Sequence, residues 1–348
     1  MWIHLGIKGH SGFWNGVFSM ERKTLILSEP EVRQCVDLDD VSEILEETFR
    51  EAGKGQAILP PKLIMNIPAE GHADYLIAGP ASVPPMKATG VKVITGFKDN
   101  PKKYGLPYIL STMLVTEHET GYPLAIFDAM HLTNARTGGM VAVAAKYMAR
   151  KDASELALIG AGTQARAAAK ALCRLFSLKN VRVFDVVPQA SQKYQEEMTS
   201  LLKVSIRPCN LAEEAIEGAD IIVTVTSSEG EFVKNDWVKP GAFIASVGTY
   251  QELEATLPHK VNKVVVDDRN QACYRGELWK GYQKGEITDA LVYADLGEVV
   301  CGKKPGRETP RERNLVCITG IGTPDVTVGK YIYEKALKLK LGMPIKLF

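Results

Sequence analysis

The chain has 348 residues, enough for two domains that each bury a core, and its 45% apolar and 24% charged content is ordinary for a globular protein. A formal net charge of +1 argues against a broad basic face for nucleic acid, and no run approaches the ~18 uninterrupted apolar residues of a membrane helix. Six scattered cysteines without a CxxC pair, and six histidines without HxxxH or HExxH spacing, argue against a disulfide framework and against a metal site, and favour a reducing, cytoplasmic setting.

Residues 1–19 carry one lysine and no continuous apolar core, so they read as an N-terminal extension rather than a signal peptide. A helix is expected to start at Ser28-Glu29-Pro30-Glu31, with Ser28 as cap, Glu31 closing the capping box and Pro30 in the first turn. A second helix presents Val41, Ile44, Leu45 and Phe49 on one face and stops at Gly53. The period then changes to that of strands at Leu63–Ile67, Tyr75–Ala78, Val91–Thr95 and Tyr108–Glu117, and Glu119-Thr120-Gly121 turns the last of these into Pro123–Phe127. This half predicts an α+β domain rich in antiparallel strands.

From Thr133, expected to cap a helix of small residues ending near Met148, the pattern alternates. Strand-like runs at Leu156–Ile159, Val181–Phe184, Val204–Arg207, Ile221–Thr226, Phe243–Val247 and Lys263–Val266 are separated by helical ones, as in a doubly wound parallel α/β sheet. A closing helix is expected at Tyr331–Lys340.

The run Leu156-Ala157-Leu158-Ile159 leads straight into Gly160-Ala161-Gly162-Thr163-Gln164-Ala165 and a helix. Gly160 permits the tight turn, Gly162 lets a pyrophosphate approach the backbone, and Ala165 allows close helix–strand packing. The helix N-terminus offers free N–H groups to the phosphates. The next strand ends in Phe184-Asp185, where an acid binds the adenosine ribose hydroxyls. The Asp185 charge would repel a 2′-phosphate, and Val186 stands where an NADP enzyme would place Arg, so NAD is the expected cofactor.

Three cations remain to be explained. Lys62 follows Pro60-Pro61, and Lys92 sits mid-strand in Gly90-Val91-Lys92-Val93-Ile94, pointing away from the face that carries Val91 and Val93. Arg136, expected in the first turn of a helix starting at Thr133, opposes the helix dipole unless it binds an anion, for which its bidentate fork suits a carboxylate.

These segments, together with Thr133-Asn134-Ala135-Arg136-Thr137, Val238-Lys239-Pro240-Gly241-Ala242, Leu296-Gly297-Glu298-Val299, and Gly320 with Asp325, resemble the ornithine cyclodeaminase/mu-crystallin family from about Leu38 to Leu341. The resemblance implies a homodimer with a Rossmann domain (133–320) set within a substrate-binding and dimerisation domain made from both chain ends (20–132 and 321–348). It implies NAD-dependent hydride transfer between nicotinamide and the α-carbon of a small amino or imino acid. In that scheme Arg136 and Lys62 hold the substrate carboxylate, Lys92 acts as the acid/base beside the reacting carbon and nitrogen, and Thr226 and Val247 line the nicotinamide side. Two other readings of the family are an ornithine cyclodeaminase and a non-catalytic dinucleotide-binding protein. Cyclodeaminases and some alanine dehydrogenases of the family carry a catalytic Asp just after the fifth Rossmann strand. This chain reads Val247-Gly248-Thr249-Tyr250-Gln251-Glu252-Leu253 there, with Glu252 the nearest acid, and the Tyr75-Leu76-Ile77 strand offers only Asp74 to a distal amine.

Overall fold

The computed structural model describes residues 22–348, so the expected N-terminal extension lies outside the described residues. The first sheet begins with β1 (Thr24–Leu27), β2 (Leu63–Ala69), β3 (His72–Val83), β4 (Ala88–Gly96), β5 (Ile109–Thr116) and β6 (Pro123–Asp128). The second contains β7 (Glu155–Ile159), β8 (Asn180–Phe184), β9 (Ser205–Cys209), β10 (Ile221–Thr224), β11 (Phe243–Ser246), β12 (Lys263–Val266), β13 (Ala294–Asp295) and β14 (Asn314–Cys317). Strand β15 (Met343–Ile345) returns to the first sheet, so that its order is β15-β1-β6-β5-β4-β3-β2.

The second sheet runs β13-β12-β14-β11-β10-β7-β8-β9. All its pairings are parallel. Its order reverses between β7 and β10, the Rossmann switch point, where a crevice opens at the carboxyl ends of the strands. Strands buried on both faces read as the continuous apolar runs seen at Leu156–Ile159 and Ile221–Thr224.

The first sheet is antiparallel apart from the β1–β6 pair. Its inner face, carrying Lys92, Met113 and Val115, is covered by the helix Gly322–Leu339, whose Gly329 lies close to Met113 and Val115. Alternation along β5 makes the two faces unequal. Ser111, Met113 and Val115 are buried, whereas Leu110 and Thr112 on the opposite face are exposed, as are Leu63 and Met65 of β2.

Helix α1 (Glu29–Cys35) starts with the expected capping box, the Glu31 carboxylate accepting from the Ser28 N–H at 2.8 Å and its hydroxyl at 2.6 Å. Helix α2 (Leu38–Gly53) buries Val41, Leu45 and Phe49 as the periodicity requires. Helix α3 (Met130–Met148) differs from expectation. It begins at Met130, three residues before Thr133, with Ala129 as N-cap, and the Thr133 hydroxyl donates back to the Ala129 carbonyl at 2.7 Å. Arg136 therefore sits in the second turn, beyond the orphan N–H groups. The closing helix likewise starts at Gly322 rather than Tyr331; its first half, Gly322–Gly329, is buried on every side and shows no amphipathic period. Strands β1, β13, β14 and β15 had no expectation at all.

Helix α3 packs on helix α4 (Thr163–Leu175) through Gly138, where a Cβ would lie 2.6 Å from the Ala167 backbone. That approach fixes the helix that follows the glycine loop against the helix that carries Arg136. Replacing a mid-helix glycine by alanine ordinarily stabilises by about 1 kcal/mol, but here backbone meets backbone and overpacking costs about 1–3 kcal/mol. Gly138→Ala is expected to lower the thermal unfolding midpoint. A raised midpoint in calorimetry would mean that propensity wins and the two helices are not locked.

Candidate active site

Chemistry-bearing side chains gather at the carboxyl edge of the parallel sheet, where the first sheet and the Gly322–Leu339 helix close over it. Lys92 projects from β4 onto the inner face of the first sheet and is 3% exposed, so it is no solvated strand lysine. Its Nζ donates to Asp325 Oδ1 at 2.7 Å and to Thr133 Oγ1 at 3.3 Å. Arg136 reaches the same Asp325 oxygen with Nε at 3.0 Å, an ion pair without an aligned hydrogen bond, which leaves guanidinium donors unspent. Lys62 lays its stem over Gly79, the residue paired with Lys92 across β3 and β4, and donates to the Gly320 carbonyl. Gly320 has φ +75°, and a Cβ there would come 3.0 Å from Arg136 Nη1, so glycine is what lets the guanidinium in.

The sequence-identified cations are thus brought together, and their electrostatics follow from crowding. Burial and the neighbouring Arg136 charge push Lys92 down to about 8, although Asp325 pulls the other way. Burial and the Arg275 charge hold Lys62 well below the usual lysine range. Burial alone would raise Asp325, but Lys92, Arg136 and Lys62 outweigh it and keep the carboxyl below its ordinary value. Asp325 therefore stays ionised between two cations. Sequence reading quoted Asp325 without a role. Its signal was the one charged residue in a stretch of small residues, Gly320 to Gly329.

The dinucleotide loop lies along the same edge. Gly160, at φ +102°, turns the chain beneath the Val225 carbonyl, which would sit 2.9 Å from any Cβ. Gly162 is the N-cap of α4 and faces open space, so nothing in the protein blocks a ligand there. Thr163 and Gln164 form the first turn, and Ala165 is fully buried against the sheet. Arg166 holds the Ala161 and Gly162 carbonyls from behind and lies over Tyr194. Asp185 ends β8 and binds the loop, Oδ2 accepting from Ala161 N–H at 2.8 Å and Oδ1 from Val187 N–H at 2.9 Å. A cleft of about 260 Å³ is lined by Gly160, Gly162, Asp185, Val186, Val225 and Thr226. An open glycine turn, a free helix N-terminus and an acid at the second strand end fit NAD. Val247 follows β11, bonded through its N–H to the Thr224 carbonyl at 2.9 Å, one strand away from Thr226.

The acids near the loop after β11 and on β3 are occupied. Glu252 is fully buried, accepting from Thr226 N–H at 2.8 Å and Thr224 Oγ1 at 2.6 Å, and burial raises its pKa. Glu277, pushed up to about 8 by burial, accepts from the Glu252 and Leu253 N–H groups and from Ser246 Oγ. Both fasten the strand ends near Thr226 and Val247. Asp74 accepts from Lys98 N–H at 2.9 Å and lies 3.2 Å from His72, engaged at the far end of β3.

Comparison with known proteins agrees with this geometry. Over 331 residues the chain is 38% identical to the alanine dehydrogenase of Archaeoglobus fulgidus, covering 94% of this chain and 99% of that one. A solved Δ1-pyrroline-2-carboxylate reductase from Thermococcus litoralis, in complex with NADH and L-proline, superposes with a TM-score of 0.86 at 34% identity, over 92% of this chain and 99% of the other. An archaeal alanine dehydrogenase dimer with bound NAD superposes with a TM-score of 0.87 at 38% identity, over 94% and 100%. Residues 22–340 match the family profile shared by such enzymes, and the chain belongs to the ornithine cyclodeaminase/mu-crystallin family.

Proposed function

We propose that this protein is an NAD-dependent oxidoreductase that interconverts a small α-amino acid and its α-imino acid, working as a dehydrogenase or imine reductase. The observation that carries the reading is the buried Lys92–Asp325–Arg136 constellation beside the dinucleotide cleft. Bound NAD supplies or accepts the hydride at its nicotinamide. The rest is done by the chain. Gly160, Gly162, Thr163, Gln164 and Ala165 hold the pyrophosphate, Asp185 the adenosine ribose, and Thr226 and Val247 flank the nicotinamide. Arg136, with donors to spare, and Lys62 clamp the substrate carboxylate and orient its α-carbon. Lys92 gives a proton to the imine nitrogen in reduction and takes it back in oxidation, while Asp325 steadies its ammonium and Thr133 directs it.

Residues 133–320 form the cofactor domain in this reading, and 20–132 with 321–348 the substrate and dimerisation domain. A homodimer is supported by the uncovered apolar face of the first sheet, where Leu63, Met65 and Leu110 are 66%, 48% and 38% exposed. The alanine dehydrogenase it resembles is a dimer. No helix of the described residues is long and apolar enough to cross a membrane, and all six cysteines are free thiols, which supports a cytoplasmic setting.

Asp185→Ser combined with Val186→Arg removes the repulsive charge and adds a phosphate partner. The ratio of kcat/KM with NADPH to that with NADH should rise at least about tenfold. A parent enzyme that already prefers NADPH would remove Asp185 from the ribose site.

Lys92→Met keeps most of the side-chain volume and should lower kcat by about 10²–10⁴ with NADH affinity retained, whereas near-normal turnover would leave Lys92 a structural role only. The protonated ammonium is the acid in reduction, so with a pKa of about 8 kcat/KM for imine reduction should hold below that pH and fall about tenfold per unit above it. Amino-acid oxidation should show the mirror-image limb. A reductive profile flat from pH 7 to 10 would mean that another group moves the proton.

A further inference from the structure

The inner face of the first sheet is covered on one side of Lys92 and open on the other. The register sets Lys92 opposite Gly79 and Met113, and two residues further along it sets Ile94 opposite Ile77 and Ser111. Ile64 pairs with Ile77 across β2 and β3 and extends that row. Residues two apart on a strand share a face. Ile64, Ile77 and Ile94 therefore stand on the same side of the sheet as Lys92, in the next row.

Burial divides this face at the Lys92 row. Behind it Ala81, Val83, Ala88 and Met113 are at most 5% exposed. The Gly322–Leu339 helix starts there, since a Cβ on Gly322 would lie 3.0 Å from the Ala81 side chain and 3.3 Å from the Gly79 carbonyl. Ahead of it Ile64 is 45% exposed, and Ile77 and Ile94 are half-buried. Ser111 is buried and leaves the open part of the row to the three isoleucines. The far end is closed by the Tyr75 ring, which occupies the space over Gly96 and stands edge-on to Tyr108 at 6.5 Å. Burial pushes the Tyr75 hydroxyl up to about 12, and it is engaged with Tyr108, so this wall is neutral. At about 3.4 Å per residue the isoleucine row lies about 7 Å from Lys92 and the Tyr75 row about 14 Å.

A substrate with its carboxylate on Arg136 and Lys62 and its nitrogen at Lys92 has few directions left. Hydride passes on the nicotinamide side, and the helix start at Gly322 closes the way over Ala81. The side chain is left to run along the sheet, over the isoleucines. Resting on the oxidoreductase reading, we propose that Ile64, Ile77 and Ile94 form the side-chain subsite and select the larger apolar substrates, with side chains of the leucine or phenylalanine kind. In oxidation the α-hydrogen leaves as hydride to NAD+ and the nitrogen gives a proton to Lys92, making the C=N bond. Water then hydrolyses the imine to the 2-oxo acid and ammonia. Arg275, within electrostatic reach of Lys62, Lys92 and Tyr75, is the group that would favour an acidic side chain instead.

The test has two readouts. Each methylene buried on the shelf is worth about fourfold in affinity. In titration calorimetry of the NADH-loaded protein, 4-methylpentanoate should therefore bind at least about tenfold more tightly than propionate. In turnover with NAD followed at 340 nm, the ratio of kcat/KM for leucine to that for alanine should likewise exceed about ten. Ile77→Thr keeps the β-branched shape that suits a strand, and Ile64→Thr changes a half-exposed residue that the fold can spare. Each should lower both ratios about 3–10-fold. Equal affinities for the two acids, or ratios that neither substitution moves, would overturn the subsite. So would aspartate or proline oxidised in preference to leucine. Turnover of alanine with leucine inert refutes the subsite and upholds the oxidoreductase. Failure of every amino acid to turn over refutes the oxidoreductase reading, while the 4-methylpentanoate titration still decides the subsite.

Discussion

One buried carboxylate organises this active site. Asp325 is 1% exposed and sits in the first turn of the Gly322–Leu339 helix, bound by Lys92 from β4 and by Arg136 from α3. Three elements distant in sequence are joined by one oxygen atom. Desolvating three charges is expensive, and such a cluster adds little net stability over an apolar one. Removing a single partner, however, costs about 3–5 kcal/mol, because the others are left uncompensated. That asymmetry fixes where the elements meet. It also leaves the cluster of Lys92, Arg136 and Asp325 net positive.

The fold delivers two binding sites to one edge by sharing a helix between them. Helix α3 presents Thr133 and Arg136 to the cation cluster on its N-terminal half, and two residues later Gly138 lies against the backbone of α4. The N-cap of α4 is Gly162 of the dinucleotide loop. The helix terminus of the dinucleotide loop and Arg136 are thus referenced to the same rigid contact. A hydride transfer needs reacting atoms about 3–3.5 Å apart, and a contact between two helix backbones holds such a register better than loops could.

Much of this was legible in the sequence wherever the signal is local. The glycine loop lies between a strand and a helix, the acid stands at the end of the next strand, and the apolar runs of the parallel sheet are each carried by adjacent residues, and each stands where it was expected. What was not legible depends on long-range pairing. Strand β1 is stabilised by β15, more than three hundred residues away, and by parallel pairing to β6, so four ordinary residues gave no pattern of their own. Thr133 looked like a cap because threonine favours that position, but its hydroxyl bonds back into a helix that had already started, as a mid-turn threonine does.

The loop after β11 bears on what the site can do with its proton. A carboxylate projecting from Val247–Leu253 would offer a second base beside the reacting carbon, as an ammonia-eliminating cyclisation requires. Here Glu252 is turned inward, with one oxygen held by Thr226 N–H and the other by the Thr224 hydroxyl. Glu277 then clamps the Glu252 backbone itself. Freeing Glu252 for chemistry would release two buried donors and detach the end of β10 from the cofactor cleft. The loop acid is thereby committed to holding Thr226 in place. In the proposed mechanism proton transfer falls to Lys92, which burial and Arg136 bring down to about 8 against the pull of Asp325. A single amine poised that way suits the one-proton exchange that accompanies hydride transfer to an imine better than the several transfers needed to expel ammonia and close a ring.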